Sequence, residues 1–163
     1  MASRMILLGG LAHGLADAAS RARSALESGR AYEVFLRFVQ AQGGDARFVD
    51  GRARLRHASL VREVRSAAAG YVSAIDALHV GLACVQLGAG RRSVGQEIDH
   101  AVGVVIAAPV GARVDVGGVL ALVHANDETT AVGAEGRVRA AFRLSAEPPC
   151  VRRRVIEVLE PGE

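Results

Sequence analysis

Residues 70–90 read GYVSAIDALHVGLACVQLGAG and carry three structural signals in direct succession. Tyr71–Ile75 predicts a strand. Asp76 comes next, and aspartate is a preferred helix N-cap, so we expect a helix from there to about Leu87. Gly88-Ala89-Gly90 then predicts the end of this helix, because glycine is the residue most often found just beyond a helix C-terminus. The segment therefore predicts a strand that passes directly into a helix.

The flanking sequence adds more strands and a second helix. Four further strands are predicted, at Leu60–Ala67, Ala101–Ala107, Val119–His124 and Val151–Leu159. Turn-forming residues crowd positions 109–118, between two of these strands. Asp127 can cap the second helix, which we expect to run to about Leu144 and to stop before Pro148-Pro149.

The first 45 residues carry helical signals only. Residues 2–8 are expected to form the tail of a helix that stops at Gly9-Gly10, and further helices are expected at about Leu15–Ser28 and Arg30–Gln42. Each longer helix has an apolar stripe at helical spacing. The stripes comprise Leu15, Ala18, Ala19, Ala22 and Leu26 in one helix, and Val34, Phe35, Phe38 and Val39 in the next. The pattern then breaks into a loop from Asp45 to about Ser59, which marks the expected domain boundary.

Together these elements predict an α+β protein. A helical segment at residues 1–45 precedes a domain at residues 46–163, in which a mixed or antiparallel sheet packs against two helices. Half of the 163 residues are apolar, which is enough for a core. Aromatic residues are few and tryptophan is absent, so this core must be built from Val, Leu, Ile and Ala.

The charge and apolar patterns argue against two classes of partner. The formal net charge is +3, but the basic residues are scattered along the chain. Their one tight cluster, Arg152-Arg153-Arg154, lies in an alternating apolar run that predicts a strand with a solvated face. No aromatic residue is placed beside it to stack on a base, so we expect no nucleic-acid partner. No apolar run approaches the roughly 20 residues that span a bilayer, so we expect no membrane partner.

All 20 basic residues are arginines, and the chain has no lysine. A Schiff-base lysine, a phosphate-loop lysine and a lysine-linked prosthetic group are therefore excluded from this chain, and we expect no cofactor. The two cysteines, Cys84 and Cys150, are far apart and show no metal-binding spacing, so we expect no metal. Such cysteines suit a reducing compartment, and we expect the protein in the cytoplasm.

The remaining polar candidates have structural explanations. The histidines lack the HxxxH-type spacing of metal sites, so structural roles are expected for them. Asp99 and His100 are neighbours, and neighbours on a strand point to opposite faces. Capping or surface charge explains the carboxylates near sequence motifs, and no Ser-His-Asp set can be assembled. The residues concerned are His13, His57, His79, His100 and His124, with Glu97, Asp99, Asp127 and Glu128.

Several short motifs form an ordered set along the chain. The two most specific are Ala41-Gln42-Gly43-Gly44-Asp45 and Leu87-Gly88-Ala89-Gly90-Arg91. The others include Ser28-Gly29-Arg30-Ala31, Gly70-Tyr71-Val72, Ile98-Asp99, Ala101-Val102-Gly103 and His124-Ala125. In order and spacing the set resembles the pyrimidine-nucleoside and thymidine phosphorylase family over nearly the whole chain. The run from His124 to Glu128 favours the thymidine phosphorylases within that family.

This resemblance implies the hammerhead-like C-terminal domain of these enzymes and, for the complete enzyme, reversible phosphorolysis of thymidine to thymine and 2-deoxyribose 1-phosphate. In the family, a Lys-His-Ser element and further Arg and Lys residues upstream of the matching region hold the phosphate and the base. This chain contains none of these lysine groups, so we expect no catalytic residue in it and no activity of the chain alone. Phosphate and a pyrimidine nucleoside are expected as ligands of the complete enzyme only. The expected partner is an upstream catalytic half or a second copy of the chain.

The resemblance also indicates one candidate site. Gly88, Ala89, Gly90, Arg91 and Arg92 match a family loop that lies near the mouth of the catalytic cleft and is associated with domain closure. Two arginines on a glycine-hinged loop can meet acidic groups or phosphate across a cleft. A helix end followed by a solvated arginine pair is the simpler interpretation, and both stay open at this point.

A function from a different class also stays open. The strands and Gly-rich turn within Ala101–Ala125 suit the hammerhead modules that carry biotin or lipoate on a lysine at a hairpin tip. Carriage on this chain is chemically excluded, because it has no lysine. The alternative is therefore a stand-alone, non-catalytic binding or interaction module of hammerhead type.

Overall fold

The computed structural model describes residues 1–51, 54–150, 155, 157 and 158. The chain divides into two compact units, Met1–Leu55 and Arg56–Glu163. The division falls inside the segment from Asp45 to Ser59, where the helical pattern of the sequence ends. Each unit has its own architecture.

The first unit is helical. It contains α1 (Ala2–Leu8), α2 (Leu15–Glu27), α3 (Arg30–Ala41) and a 3-10 helix at Ala46–Phe48. Helices α2 and α3 start at the predicted residues and end one residue before the predicted ends, and α1 stops before Gly9 as predicted. Gly29 has a φ of +77° between α2 and α3, a backbone conformation that favours glycine and permits the tight connection. The 3-10 helix lies where only loop was predicted, and its first turn is closed by the Asp45 carboxylate, which accepts a 2.9 Å hydrogen bond from the Arg47 N–H.

The described residues of the second unit form two three-stranded sheets and two helices. Its elements are β1 (Leu60–Arg65), β2 (Gly70–Ile75), α4 (Ala77–Leu87), β3 (Gly103–Ile106), β4 (Arg113–Val114), β5 (Val119–Ala125), α5 (Glu128–Ala141) and β6 (Phe142–Ser145). One sheet has the strand order β1-β5-β3 and the other has the order β4-β2-β6. All pairs are antiparallel. The predicted α+β class with two helices is confirmed, and the predicted single sheet is in fact two sheets.

The core of the second unit is built from small aliphatic side chains. Helix α4 packs against α5, and α5 also contacts β1, β5 and β6, so it touches both sheets. The face that α5 buries is mainly alanine, which lets the helix approach its neighbours closely. The largest fully buried side chains are Val64, Val72, Val123 and Val138. This agrees with the prediction of a core made of Val, Leu, Ile and Ala.

Two predicted elements differ in the structure. The helix predicted from Asp127 to Leu144 ends at Ala141, and Phe142–Ser145 forms β6 instead. In this short segment the apolar Phe142 and Leu144 alternate with Arg143 and Ser145, and the backbone groups pair with the edge of β2. Tertiary strand pairing therefore overrides a helical prediction. The turn-rich interval 109–118 also contributes a two-residue strand, β4.

The final strand predicted at Val151–Leu159 lies outside the described residues, apart from Val155, Glu157 and Val158. Among the helices of the described part, none has the length and hydrophobicity needed to cross a bilayer.

Candidate functional site

The candidate loop begins where α4 ends. Gly88 has a φ of +105°, and its N–H donates to the Val85 carbonyl at 3.2 Å while the Ala89 N–H donates to the Cys84 carbonyl at 2.9 Å. This pair of hydrogen bonds is the Schellman motif, which closes a helix around a left-handed glycine. Gly90 then lies against α4, because a Cβ atom at this position would stand 2.8 Å from Cγ2 of Val85. The positive φ therefore requires glycine at position 88, and the close approach to Val85 requires it at position 90. The prediction that the helix ends at these glycines agrees with this.

We call the segment from Gly88 to Asp99 the 88–99 loop. Hydrogen bonds within it fix its backbone conformation. The Asp99 N–H donates to the Gly88 carbonyl at 3.0 Å and thereby joins the two ends of the loop. Gln96 holds the arginine pair from within the loop. Its side-chain Oε1 accepts from the Arg92 N–H at 2.9 Å, and its backbone carbonyl accepts from Arg91 Nε at 3.2 Å.

A side-chain junction fixes the far end of the loop. Asn126 Nδ2 donates to Asp99 Oδ2 at 2.7 Å, and Asn126 Oδ1 accepts from the Ser59 N–H at 2.8 Å. The other carboxylate oxygen of Asp99 accepts from the Ala101 N–H at 3.0 Å. One amide thus connects the loop end to the residues before β1 and to the β5–α5 connection. The Ala101 N–H and then the Asn126 amide hold the pKa of Asp99 below its usual range.

The two arginines of the loop are exposed to solvent. Within the described part of the chain, neither Arg91 nor Arg92 forms an ion pair. Arg62 on β1 shows the opposite arrangement, since it bridges Glu128 and Glu135 of α5 and thereby ties β1 to that helix. Arg91 and Arg92 therefore present cationic groups that are available to an anion or to a carboxylate from outside.

The structure brings Arg92 together with residues that no sequence pattern connects to it. A surface cleft of about 500 Å³ is lined by Leu82, Val85, Gln86, Arg92 and Arg137. Arg137 lies on α5, 45 positions after Arg92, and no motif relates the two. The prediction of the loop as a site therefore missed half of the basic lining of this cleft. Only the packing of α4 on α5 could reveal it.

Asp127 and His79, two of the other candidates, lie at helix N-termini. Asp127 accepts from the Thr130 N–H at 2.8 Å as the N-cap of α5, and Asp76 accepts from the Leu78 and His79 N–H groups as the N-cap of α4. His79 Nδ1 lies 2.9 Å from Asp76 Oδ2, and the His79 contacts lower the pKa of Asp76. Asp99 and His100 lie in the turn before β3 and not on a strand, so the argument from opposite strand faces was wrong. The described residues contain no group of three or more His, Cys, Asp and Glu side chains placed to hold a metal ion.

Comparison with known proteins places this geometry in a family. The family model of the pyrimidine nucleoside phosphorylase C-terminal domain matches residues 71–145. This range includes the 88–99 loop and nearly all of the second unit's described elements. A thymidine phosphorylase from Burkholderia lata is 36% identical over 159 residues. The match covers 95% of this chain and 36% of that protein, so the chain spans about a third of the length of this curated relative. The ordered motifs, the α+β fold and both matches agree that residues 71–145 form a pyrimidine nucleoside phosphorylase C-terminal domain.

Proposed function

We propose that this chain is the C-terminal portion of a thymidine or pyrimidine-nucleoside phosphorylase. In the complete enzyme, a phosphate oxygen bonds to C1′ of the deoxyribose while the bond from C1′ to the thymine nitrogen breaks. The products are thymine and 2-deoxyribose 1-phosphate, which makes the enzyme a glycosyltransferase of nucleoside salvage. The observation that carries the proposal is the 36% identity to a thymidine phosphorylase along 95% of this chain. The two free cysteines suit a cytoplasmic enzyme.

Within that enzyme, this chain supplies support and closure and no catalytic residue. The chain has no lysine, so a lysine that grips phosphate or base must come from elsewhere. What the chain offers is a loop fixed at both ends, at Gly88 and at Asp99, with two exposed arginines between them. Such a loop can approach a cleft as a unit and place cationic groups at its mouth without ordering a flexible segment at the moment of closure.

The first test is an assay of the isolated chain. Purified chain incubated with thymidine and phosphate should release no thymine above a buffer control, because the charged groups that stabilise the transition state are missing. Turnover by the chain alone would contradict the proposed division of roles.

The second test is a chimera, in which this chain replaces the matching portion of the Burkholderia lata thymidine phosphorylase. We expect the chimera to release thymine in a phosphate-dependent manner. Changing Arg91→Gln and Arg92→Gln together should lower kcat by about tenfold or more, since charge stabilisation near a closing cleft is lost. The control is Arg113→Gln, an exposed arginine on β4, which should keep kcat. A folded but inactive chimera would instead support a non-catalytic interaction module.

A further inference from the structure

We propose that the second unit carries an oxoanion-binding cleft between α4, α5 and the 88–99 loop, with Arg92 and Arg137 as the two cationic ligands. The ligand class is a phosphate group, either free or carried on a small sugar. The site is a property of this chain by itself and does not rest on the proposed enzymatic activity.

The cleft has the composition of an anion site. Two guanidinium groups line it, and the remaining lining residues are Leu82, Val85 and Gln86, so no carboxylate is among them. A guanidinium presents several N–H donors in a planar fork that matches the oxygens of phosphate. The volume of about 500 Å³ is in the range of small-molecule sites. The two aliphatic side chains can contact the carbon skeleton of a sugar phosphate.

The acidic residues near Arg137 on α5 are already engaged with other arginines. Glu135 accepts from Arg62 Nε at 2.9 Å and also pairs with Arg139. Glu128 pairs with Arg62 as well. Within the described residues, the guanidinium of Arg137 has no hydrogen bond and no ion pair. Carboxylates therefore balance the charges of Arg62 and Arg139. In contrast, the guanidinium groups of Arg92 and Arg137 are available to an anionic ligand.

The scaffold sets the position of each cationic group. Gly133 and Arg137 are four residues apart and share one face of α5, and side chains on a helix lean toward its N-terminus. The Gln86 amide lies against α5 at Gly133, because a Cβ atom there would overlap with Gln86 Nε2. Arg137 and the amide of Gln86 thus lie on the same face of α5. On the other side, Gly90 packs on Val85 and the Arg92 N–H is held by Gln96 Oε1, which fixes the backbone that carries Arg92.

The test is a titration of the full chain, labelled with 15N, with inorganic phosphate and in parallel with ribose 5-phosphate at constant ionic strength. We expect saturable shifts of amide signals in the last turn of α4, at Arg92 and around Gly133 and Arg137. Arg92→Gln and Arg137→Gln should each weaken phosphate binding by about tenfold. Tighter binding of ribose 5-phosphate than of phosphate would support a sugar phosphate as the ligand, and the reverse order would support free phosphate.

Two matched controls remove the same charge from the second unit outside the cleft. Arg139→Gln affects the arginine paired with Glu135 on α5, and Arg143→Gln affects an exposed arginine on β6. Both should bind phosphate as the unmodified chain does. Shifts that do not saturate, or an equal loss of binding in all four variants, would overturn the proposal. Binding of oligo-glutamate but not of phosphate, abolished by Arg92→Gln, would also overturn it and would make the cleft a contact for an acidic protein segment.

Discussion

The two units of the chain differ in how much of their apolar surface they bury. In the first unit, Ala18 and Ala46 are the buried residues among those described, and no residue of α3 is buried. Phe35 and Phe38 of its apolar stripe are 49% and 58% exposed. In the second unit, both sheets and both helices contribute to one core. The apolar face of an amphipathic helix therefore becomes part of a core only where another surface packs against it.

The same difference is seen at the helix ends. None of α1, α2 and α3 has a side-chain hydrogen bond at its N-cap. Both helices of the second unit have one, from Asp76 to α4 and from Asp127 to α5. Capping side chains and a buried core therefore support each other in the second unit, whereas the three α-helices of the first unit have no side-chain hydrogen bond at their N-caps and bury only Ala18.

Limited proteolysis should separate the units most clearly. Arg54, Leu55, Arg56 and His57 are exposed and lie outside regular structure, so trypsin should cut first between about Asp45 and Ser59. A resistant C-terminal product should remain, because each buried large apolar side chain contributes about 1.5–3 kcal/mol and the first unit leaves several exposed. Mass spectrometry of the digest identifies the cuts. A single cooperative unfolding transition with this segment protected would show instead that the two units form one domain.

A matched pair of valine substitutions should show the contrast in stability. Val123→Ala removes two methyl groups from a fully buried site on β5 and should lower the free energy of unfolding by about 2–3 kcal/mol. Val34→Ala makes the same change on α3 at a site that is 54% exposed, and the effect should stay within about 0.5 kcal/mol. Urea unfolding followed by circular dichroism measures both. Equal losses would mean that the surface of α3 is covered in solution.

Acid should weaken the second unit partly through Asp99. Its folded-state pKa lies below the usual aspartate value of about 3.9, so its contribution to stability is complete above that pH and is lost as the pH falls through the folded-state pKa. Asp99→Asn should therefore flatten the pH dependence of unfolding below about pH 4, observed on the methyl signals of Val64 and Val123.

The control is the Asp17 carboxylate of α2, whose pKa is also lowered, first by the His13 N–H and then by Arg21. Asp17→Asn should leave those methyl signals and their pH dependence unchanged if the units unfold separately.

The cap of α5 provides a smaller effect. Asp127→Ala removes the hydrogen bond to the Thr130 N–H and should destabilise the second unit by about 1 kcal/mol in urea unfolding. The control is Asp115→Ala, which removes an exposed aspartate from a turn of the same unit and should change stability by less than about 0.5 kcal/mol. A cost of Asp127→Ala no larger than that of the control would show that the cap contributes nothing.

The smallest effect is a gain in the first unit. Gly14 occupies the N-cap of α2 with an extended backbone, and a Cβ atom at this position would meet only open space, so Gly14→Ser should add a cap at no steric cost. We expect α2 to gain about 0.5 kcal/mol, partly through the lower entropy of the unfolded chain. Amide hydrogen exchange along α2 measures the gain. Gly10→Ser is the opposing control, because the φ of +69° at Gly10 should make that change destabilising.

Sequence reasoning succeeded where a signal is local. Asp76 and Gly88 mark the ends of α4, and α2 and α3 begin at their predicted residues. It failed at β6, where the edge of β2 supplies hydrogen-bond partners that no neighbouring residue reveals. The candidate loop was found through its glycines and arginines. Its anchor at Asn126 and the second arginine of the cleft, Arg137, were not found, because each depends on residues that meet only after folding.

Helix α5 passes directly into β6, and this junction restricts insertions and deletions in the segment that contains it. Ala141 ends the helix and Phe142 begins the strand, with no residue between them. An inserted residue would turn the side chains of β6 to the opposite face, or rotate the buried face of α5 by about 100°. The first change would expose Phe142 and Leu144, which pack against the core, and the second would expose the mainly alanine face that α5 buries. Insertions and deletions should therefore be absent from residues 138–145 in related proteins.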